Sequence, residues 1–269
     1  LTDESNFSPR LGLVLSLTEK TSLNAAYGHY YQTPAPYQIA ENESDTALQS
    51  SLSVHKVVGI SHRLSKDTRV TLEAYRKELE NGLVHDYASR ETSNEQTGLA
   101  RGIEFCIQKK MGRSLVGSIA YTYSETRLKD RPGLREYYSE FDRPHNLTIV
   151  GSWKVSEDWQ LGAKFQYASG TPFTPITGAE QRDGGWYMLR GLRNSDRYPD
   201  YHMLDVRADR TFRVGGVTLL AYLDVWNVYG QQNVTLYGFE VGEDGTVNKL
   251  IADDGLPKAL PILGIEARF

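Results

Sequence analysis

Apolar and polar residues take turns along most of this chain. Leu11, Leu13, Leu15 and Leu17 alternate with Gly12, Val14 and Ser16, and Leu23, Ala25 and Tyr27 with Ser22, Asn24 and Ala26. Ile103, Phe105 and Ile107 alternate with Glu104, Cys106 and Gln108, and Ile119, Tyr121 and Tyr123 with Ser118, Ala120 and Thr122. Further on, Leu147, Ile149 and Trp153 oppose Asn146, Thr148 and Ser152. Trp159, Leu161, Ala163, Phe165 and Tyr167 oppose Gln160, Gly162, Lys164 and Gln166. The same holds for Leu204, Val206 and Ala208 against Asp205, Arg207 and Asp209, and for Leu219, Ala221, Leu223 and Val225 against Leu220, Tyr222, Asp224 and Trp226. Successive side chains of a strand project to opposite faces, so each run predicts a strand with one apolar and one polar face. The final stretch, LPILGIEARF, sets Leu263, Ile265, Ala267 and Phe269 against Gly264, Glu266 and Arg268.

The runs are joined alternately by short and long links. The short ones are Thr18-Glu19-Lys20, Ser65-Lys66-Asp67, Met111-Gly112-Arg113-Ser114, Ser156-Glu157-Asp158 and Gly215-Gly216, the last suited to a tight primed turn. The long ones span roughly 33–50, 81–98, 128–143, 171–200 and 240–257 and hold most of the prolines. Short turns at one end and long loops at the other describe a bacterial outer-membrane barrel, with turns periplasmic and loops extracellular. The expected fold is therefore all-β, an antiparallel transmembrane β-barrel sheet of about eleven strands. With that count the first and last strands, about 9–17 and 260–269, run the same way, whereas closed barrels of this kind have an even number. An open sheet leaves unpaired backbone in hydrocarbon, so residues 1–269 are expected to be the C-terminal half of a barrel of about twenty-two strands. Two other readings stay open on the pattern alone: a soluble all-β module with ligand-binding aromatic loops, and an outer-membrane barrel hydrolase.

Aromatic placement sharpens the membrane reading. Trp153 and Trp159 flank a short turn on the apolar register, and Tyr121, Tyr123 and Tyr167 lie toward the long-link ends of their strands, as two interfacial girdles would. One strand departs from the pattern: Lys56 and His62 share the apolar register with Leu52, Val54, Val58 and Ile60. A lysine at mid-membrane costs about 2–4 kcal/mol, so Lys56 is expected at the outer interface, its stem reaching toward lipid phosphates.

Composition changes the picture little. A mean hydropathy of -0.48 matches a soluble protein, and no apolar run reaches the roughly eighteen residues of a membrane helix. Barrel strands need apolar residues only at alternate positions and escape both tests. The one cysteine, Cys106, allows no intrachain disulfide, and a net charge of -4 without a basic cluster gives no reason to expect nucleic acid. The sequence opens LTDESNF, so a signal segment is expected to have lain upstream.

At this point several segments together resemble the C-terminal barrel of TonB-dependent outer-membrane receptors. They are SPRLGLVLSLTEKTSLNAAYGHYYQTP (Ser8–Pro34), GIEFCIQKK (Gly102–Lys110), FDRPHNLTIVGSWKVSEDWQLGAKFQYASGTPFTPI (Phe141–Ile176), YHMLDVRADRTF (Tyr201–Phe212), LLAYLDVWNVYG (Leu219–Gly230) and LPILGIEARF. The resemblance implies a Gram-negative outer-membrane receptor and transporter. Its barrel would surround an N-terminal plug domain absent from this sequence, and an inner-membrane TonB complex would drive it. It also implies a scarce-nutrient cargo: a metal–siderophore chelate, haem, cobalamin or a glycan. Leu263, Ile265, Ala267 and Phe269 would then form the signal read by the insertion machinery.

Chemistry is sparse. His29, His55, His62, His85, His145 and His202 form no HExxH or other metal-ligand spacing, and no GxSxG elbow occurs. We expect neither catalytic residues, nor a metal site, nor a cofactor. His29 and His145 are expected in interface or capping roles. Arg63, Glu73, Glu104, Lys164, Asp205, Arg207, Asp209, Asp224, Glu266 and Arg268 fall on the polar register and are expected to line the lumen wall, mostly as satisfied cross-strand pairs. In the 178–200 link, Arg182, Arg190, Arg193 and Arg197 lie beside Trp186, Tyr187 and Tyr198, cations and rings of the kind that hold an anionic chelate or a sugar. Glu180, Asp183, Asp196 and Asp200 offset their charge, so a solvated loop is the competing reading. Asp244-Gly245 and Asp253-Asp254-Gly255 are expected to be turns rather than calcium sites.

Overall fold

The computed structural model describes residues 5–40, 47–86, 91–110, 114–253 and 258–268. The alternating runs become β1 (Arg10–Ser16), β2 (Thr21–Gln32), β3 (Ser51–Arg63), β4 (Thr68–Asp86), β5 (Glu91–Lys109) and β6 (Leu115–Lys129), with a short helix α1 (Pro36–Ala40) after β2. They continue as β7 (Tyr137–Tyr138), β8 (His145–Lys154), β9 (Trp159–Ala168), β10 (Pro172–Phe173), β11 (Ile176–Arg182), β12 (Gly185–Arg190) and β13 (Asp196–Arg197). The last are β14 (Tyr201–Val214), β15 (Val217–Trp226), β16 (Leu236–Val241), β17 (Val247–Asp253) and β18 (Leu260–Arg268).

One sheet holds twelve of them in the order β1-β2-β3-β4-β5-β6-β8-β9-β14-β15-β18, with β7 beside β6. Setting β7 aside leaves the eleven strands that the alternation predicts, each next to its neighbour in the meander. The order does not close, because it starts at β1 and stops at β18. Gly215 and Gly216 both take positive φ, 57° and 87°, the primed geometry that lets β14 and β15 join through two residues. The turn at 111–113, like Phe269, lies outside the described residues.

The register keeps like with like. Ile119 pairs with Ile149, and Ile149 with Phe165. Phe165 pairs with Leu204, so one face is apolar across four strands. On the other face Lys164 meets Asp205 and Arg207 meets Asp224. Among the described residues no second layer covers the apolar face. Leu263 and Ile265 are 80% and 78% exposed, and Leu11, Val58, Ile103 and Trp153 are exposed with them. Among the described residues the buried apolar set is Leu48, Val54, Ala168, Phe173 and Met203. Burying apolar surface is worth roughly 25 cal/mol per Å², and this sheet leaves most of that gain to whatever medium surrounds it.

The chain divides into two compact units. One comprises Leu1–His62, Leu72–Glu104 and Ser124–Asp142. In it the Asn24 amide donates to Glu73 at 2.8 Å, and the fully buried Asp142 accepts the Thr126 backbone N–H at 2.6 Å. Asp142→Ala removes that acceptor and leaves the N–H without it, which we expect to cost about 1–3 kcal/mol in a thermal melt. The other unit comprises Arg63–Thr71, Phe105–Tyr123 and Arg143–Phe269. There Lys109 donates to Asp67 at 2.7 Å, and this ammonium, with the Ser65 hydroxyl, holds the Asp67 carboxyl well below the usual carboxylate range.

Three of the long links are more regular than expected. β4 and β5 run through most of 81–98, and the residues between them, 87–90, lie outside the described set. At nineteen residues each they reach well past the nine to eleven or so that span a bilayer. In that stretch the alternation fades while the backbone ladder persists. The Asn94 amide takes over there, donating to Gln49 and Asn81 carbonyls at 2.9 and 2.8 Å. The 171–200 link contains the β11–β12 hairpin and the β10–β13 pair, and the 240–257 link belongs to a hairpin of β16 with β17. Asp244-Gly245 forms its turn, with Gly245 at φ 83° and Thr246 N–H bonded to the Asp244 carboxylate at 3.0 Å. Asp254 and Gly255 fall outside the described residues.

Candidate functional site

The polar face of β14, β15 and β18 gathers most of the wall candidates. Arg207 donates to Asp209 at 2.8 Å, stands 3.8 Å from Asp224 and lies over the Tyr222 ring with its guanidinium carbon 4.0 Å from the centroid. Tyr222 lies flat across Gly264, where any Cβ would meet the ring at 2.2 Å. Glu266 and Arg268 pair two residues apart at 2.7 Å. Asp205 accepts the Asn227 N–H at 3.0 Å, and Lys164 faces it across the register. Arg63, Glu73 and Glu104 occupy the polar registers of β3, β4 and β5. Mixed signs on neighbouring strands are thus largely consumed in local pairs. Such pairs, partly solvated, are worth about 0–1 kcal/mol each.

The seven loop candidates do not form one cluster. In the β11–β12 hairpin Gln181 opposes Trp186 and Glu180 opposes Tyr187, so Trp186 and Arg190 lie on one face, and Arg182 and Tyr187 on the other. Arg182 pairs with Glu180. Trp186 packs over Gly245 of the neighbouring hairpin. Tyr198, Phe173 and Tyr237 form a three-ring cluster, Tyr198 lying 4.7 Å from Phe173 and 5.0 Å from Tyr237 by ring centroids, with Phe173 and Tyr237 5.3 Å apart. Arg197 donates to the Gly170 carbonyl at 3.0 Å, and Arg193 sits in the turn after β12. Trp186, Arg197 and Tyr198 therefore brace the hairpins, although Trp186 is itself exposed, as are Arg182, Tyr187, Arg190 and Arg193.

On the apolar face the aromatic candidates fall into two bands. Trp153 pairs with Leu161, and Trp159 with Arg210, at the short-turn ends. The Arg210 guanidinium carbon lies 5.2 Å from the Trp159 ring and 4.6 Å from Phe212, an anchor that the sequence pattern did not reveal. Toward the long-link ends lie Tyr121, Tyr123 and Tyr167. Tyr121 bonds His145 at 2.8 Å, Tyr123 lies against the same imidazole, and Tyr167 donates to Asp200 at 2.6 Å. A similar pair in the same unit is Tyr229 with His202 at 2.9 Å, and the other unit has its own, Tyr27 with His29 at 2.6 Å. A histidine on an apolar register within reach of a tyrosine was the available signal. Lys56 stands opposite Tyr27 and pairs with Glu78 at 3.0 Å. His62 bonds the Thr21 hydroxyl at 2.8 Å.

Two fully polar anchors also went unread. Asn233 receives the His202 N–H at 3.0 Å and donates to its carbonyl at 3.1 Å. Asn227, fully buried with φ 52°, exchanges two hydrogen bonds with the Gln231 backbone at 2.9 and 3.0 Å. Together they pin the segment after β15 to β14. Among the described residues no group of three or more His, Cys, Asp or Glu is placed to hold a metal ion.

Comparison with known proteins agrees with this geometry. A family profile described as TonB dependent receptor-like, beta-barrel matches residues 2–239. No curated protein sequence matches. Among solved structures the chain is similar to the FrpB iron transporter from Neisseria meningitidis, at 15% identity, a TM-score of 0.66, and coverage of 97% of this chain and 39% of that one. It is similar to the ferripyoverdine receptor of the outer membrane of Pseudomonas aeruginosa, at 16% identity and a TM-score of 0.68, over 99% of this chain and 33% of that one. It is similar as well to BauA, the ferric preacinetobactin receptor from Acinetobacter baumannii, at 15% identity and a TM-score of 0.66, over 97% and 36%. At such identities the likeness is one of fold, and the chain spans between a third and two fifths of these proteins' lengths.

Proposed function

The chain belongs to the TonB-dependent receptor β-barrel family, and we propose that it forms the C-terminal part of an outer-membrane barrel of about twenty-two strands that imports a scarce nutrient, with a metal–siderophore chelate as the leading cargo class. The observation that carries this reading is the uncovered apolar face: an eleven-strand meander with Leu263 and Ile265 four-fifths exposed needs hydrocarbon against it. The two aromatic bands set the edges of that hydrocarbon layer. The open strand order leaves β1 and β18 to pair with strands of the N-terminal part. The polar face then lines the lumen against a plug domain, and its locally paired charges give a wet wall rather than a fixed cargo site.

The iron-chelate class is suggested by the structural neighbours named above. Of the loop candidates, Tyr187 and Arg182 on one face of the hairpin and Arg190 on the other are the proposed cargo contacts; Arg193 is secondary, and Trp186, Arg197 and Tyr198 act by holding the hairpins. Coupling to the TonB complex belongs to the N-terminal part. The role is transport rather than catalysis.

The test is uptake in the native host. Cells lacking the full-length gene are given ⁵⁵Fe(III) loaded onto spent iron-starved medium. Uptake is expected to fall, to return with the gene, and to stop when an uncoupler collapses the proton-motive force. Unchanged uptake would overturn the iron-chelate cargo. Partition of the full-length protein into the aqueous fraction without detergent would overturn the membrane reading itself.

A further inference from the structure

We propose that Arg10, Tyr30, His55 and Lys77, side by side on the polar face of β1 to β4, form a binding site for an extended polyanion, a ligand carrying several carboxylate-type groups. The inference deepens the transport reading above, on whose assignment of the polar face to the lumen it rests. None of the four residues belongs to the wall or loop candidates.

The register brings them to one level. Arg10 stands opposite Gly28, and Gly28 opposite His55. The Ser51 hydroxyl donates to the Asn81 carbonyl at 3.0 Å, and a Cβ on Gly59 would meet Glu73 at 2.8 Å. Both contacts fix the offset of β3 against β4 that sets Lys77 beside His55, close enough to act on it electrostatically. The parity is that of Asn24 and Glu73, which bond each other on the polar face. All of these residues belong to the same compact unit.

Gly28 makes the arrangement possible. The Tyr30 ring folds back along β2 into the space a side chain would need: a Cβ on Gly28 would lie 3.0 Å from the ring edge and 3.2 Å from the hydroxyl oxygen. The ring meets Arg10 with the guanidinium carbon 4.6 Å from its centroid, and the His55 imidazole at 4.3 Å. His55 shares a hydrogen bond of 2.9 Å with Ser53, and the Lys77 ammonium lies 4.9 Å from the Tyr75 centroid. Rings thus hold the cationic heads here, where carboxylates hold them in the other unit, as Asp209 holds Arg207 and Glu266 holds Arg268. Among the described residues Arg10 and Lys77 have no carboxylate partner. Glu73, four residues nearer the short turn than Lys77, is engaged by the Asn24 amide at 2.8 Å. An anion reaching this row breaks no ion pair, and it gains charge-assisted hydrogen bonds that are stronger than the cation–ring contacts.

The spread of the row sets the size of the ligand. Neighbouring strands lie about 4.8 Å apart, so Arg10 and Lys77, three strands apart, are rooted about 14 Å from each other. One phosphate or one carboxylate satisfies one end. A ligand with several anionic groups reaches both, with the Tyr30 hydroxyl between them. Gly28 and His55 come one residue after the level of Tyr27 and Lys56 on the long-link side, so a ligand entering from that side meets the row early, and cations of one sign on a wall raise its local concentration.

The test titrates the full-length receptor, in zwitterionic detergent at low salt, with benzenehexacarboxylate by calorimetry, and with benzoate and inorganic phosphate as single-group anions. The hexaanion is expected to bind at least about tenfold more tightly than either, and R10Q/K77Q to weaken it at least about tenfold, as loss of two charge-assisted contacts implies. R10K/K77R keeps most of the affinity. K20Q/K66Q, which removes two charges from the short turns, is expected to bind as the wild type does. If R10Q/K77Q gives no heat-modifiable barrel, K77Q alone and G28A, which pushes the Tyr30 ring from its place, are each expected to weaken binding about threefold. Equal affinity of the wild type and the Arg10 and Lys77 variants, an equal loss in K20Q/K66Q, or phosphate binding as tightly as the hexaanion overturns the proposal. Those results leave the iron-uptake test standing. A receptor that binds the hexaanion through Arg10 and Lys77 but whose deletion leaves iron uptake unchanged supports this site and overturns the iron-chelate cargo alone.

Discussion

Gly170→Val in the full-length receptor is expected to give an inserted, heat-modifiable barrel whose 171–200 segment is cut by added protease and no longer supports cargo binding. The reason is a backbone contact. A Cβ on Gly170 would lie 1.7 Å from the Tyr198 carbonyl oxygen, 2.5 Å from its carbon and 3.0 Å from the Pro199 oxygen. No rotamer change relieves such a clash, because the obstructing atoms are main chain. The two segments must move apart, and the bonds that join them go together. Gly170 N–H donates to Asp200 at 3.1 Å, Arg197 donates to the Gly170 carbonyl at 3.0 Å, and Tyr198 N–H donates to the Thr171 carbonyl at 3.0 Å. Phe173 and Tyr198 of the same segments also form a three-ring cluster with Tyr237. Forcing atoms into a closed contact costs typically about 1–3 kcal/mol and sometimes more; with three hydrogen bonds at stake we expect at least about 3 kcal/mol locally. Gly170→Ala should show the same defect in milder form. Wild-type protease resistance in both variants would show that the hairpin base is not built on this contact.

That contact was invisible in the sequence, and the contrast with what was legible is physical. Strand number, order and facing followed from alternation, because one face of every strand meets an apolar medium and the other does not. Ile119, Ile149, Phe165 and Leu204 line up across four strands as their parity requires. Where that medium ends, the signal ends too: β4 and β5 continue past it on backbone and amide bonds, and read as loop. The polar-register charges share the face opposite the apolar one, as parity requires, but their partners were not foreseeable, since pairing such as Arg207 with Asp209 at two-residue spacing depends on rotamers and not on register. The loop arginines and rings looked like one cluster because they are close in sequence. A hairpin separates neighbours in sequence onto opposite faces, and Tyr187 and Trp186 point away from each other for that reason alone.

Ile149→Lys separates the membrane reading from its soluble rival with the largest difference in expected outcome. Ile149 lies on the apolar register of β8, midway between His145 in one aromatic band and Trp153 in the other, with Ile119 and Phe165 as lateral neighbours. It is 38% exposed. In a soluble sheet a lysine at such a position has its ammonium in water, and the change should stay within about 0.5 kcal/mol. In a bilayer the same position is near the midplane, where a lysine costs about 2–4 kcal/mol. The distance to either band exceeds what the side chain can cover by snorkelling. Thr148→Lys, one residue away on the polar face, is the matched control and should be nearly neutral, because its side chain enters the wet lumen. The measurement is the unfolding free energy of the full-length protein folded into phosphocholine vesicles. A difference of about 2 kcal/mol or more between the two variants is expected, and equal values for Ile149→Lys and Thr148→Lys would mean that hydrocarbon does not cover this face.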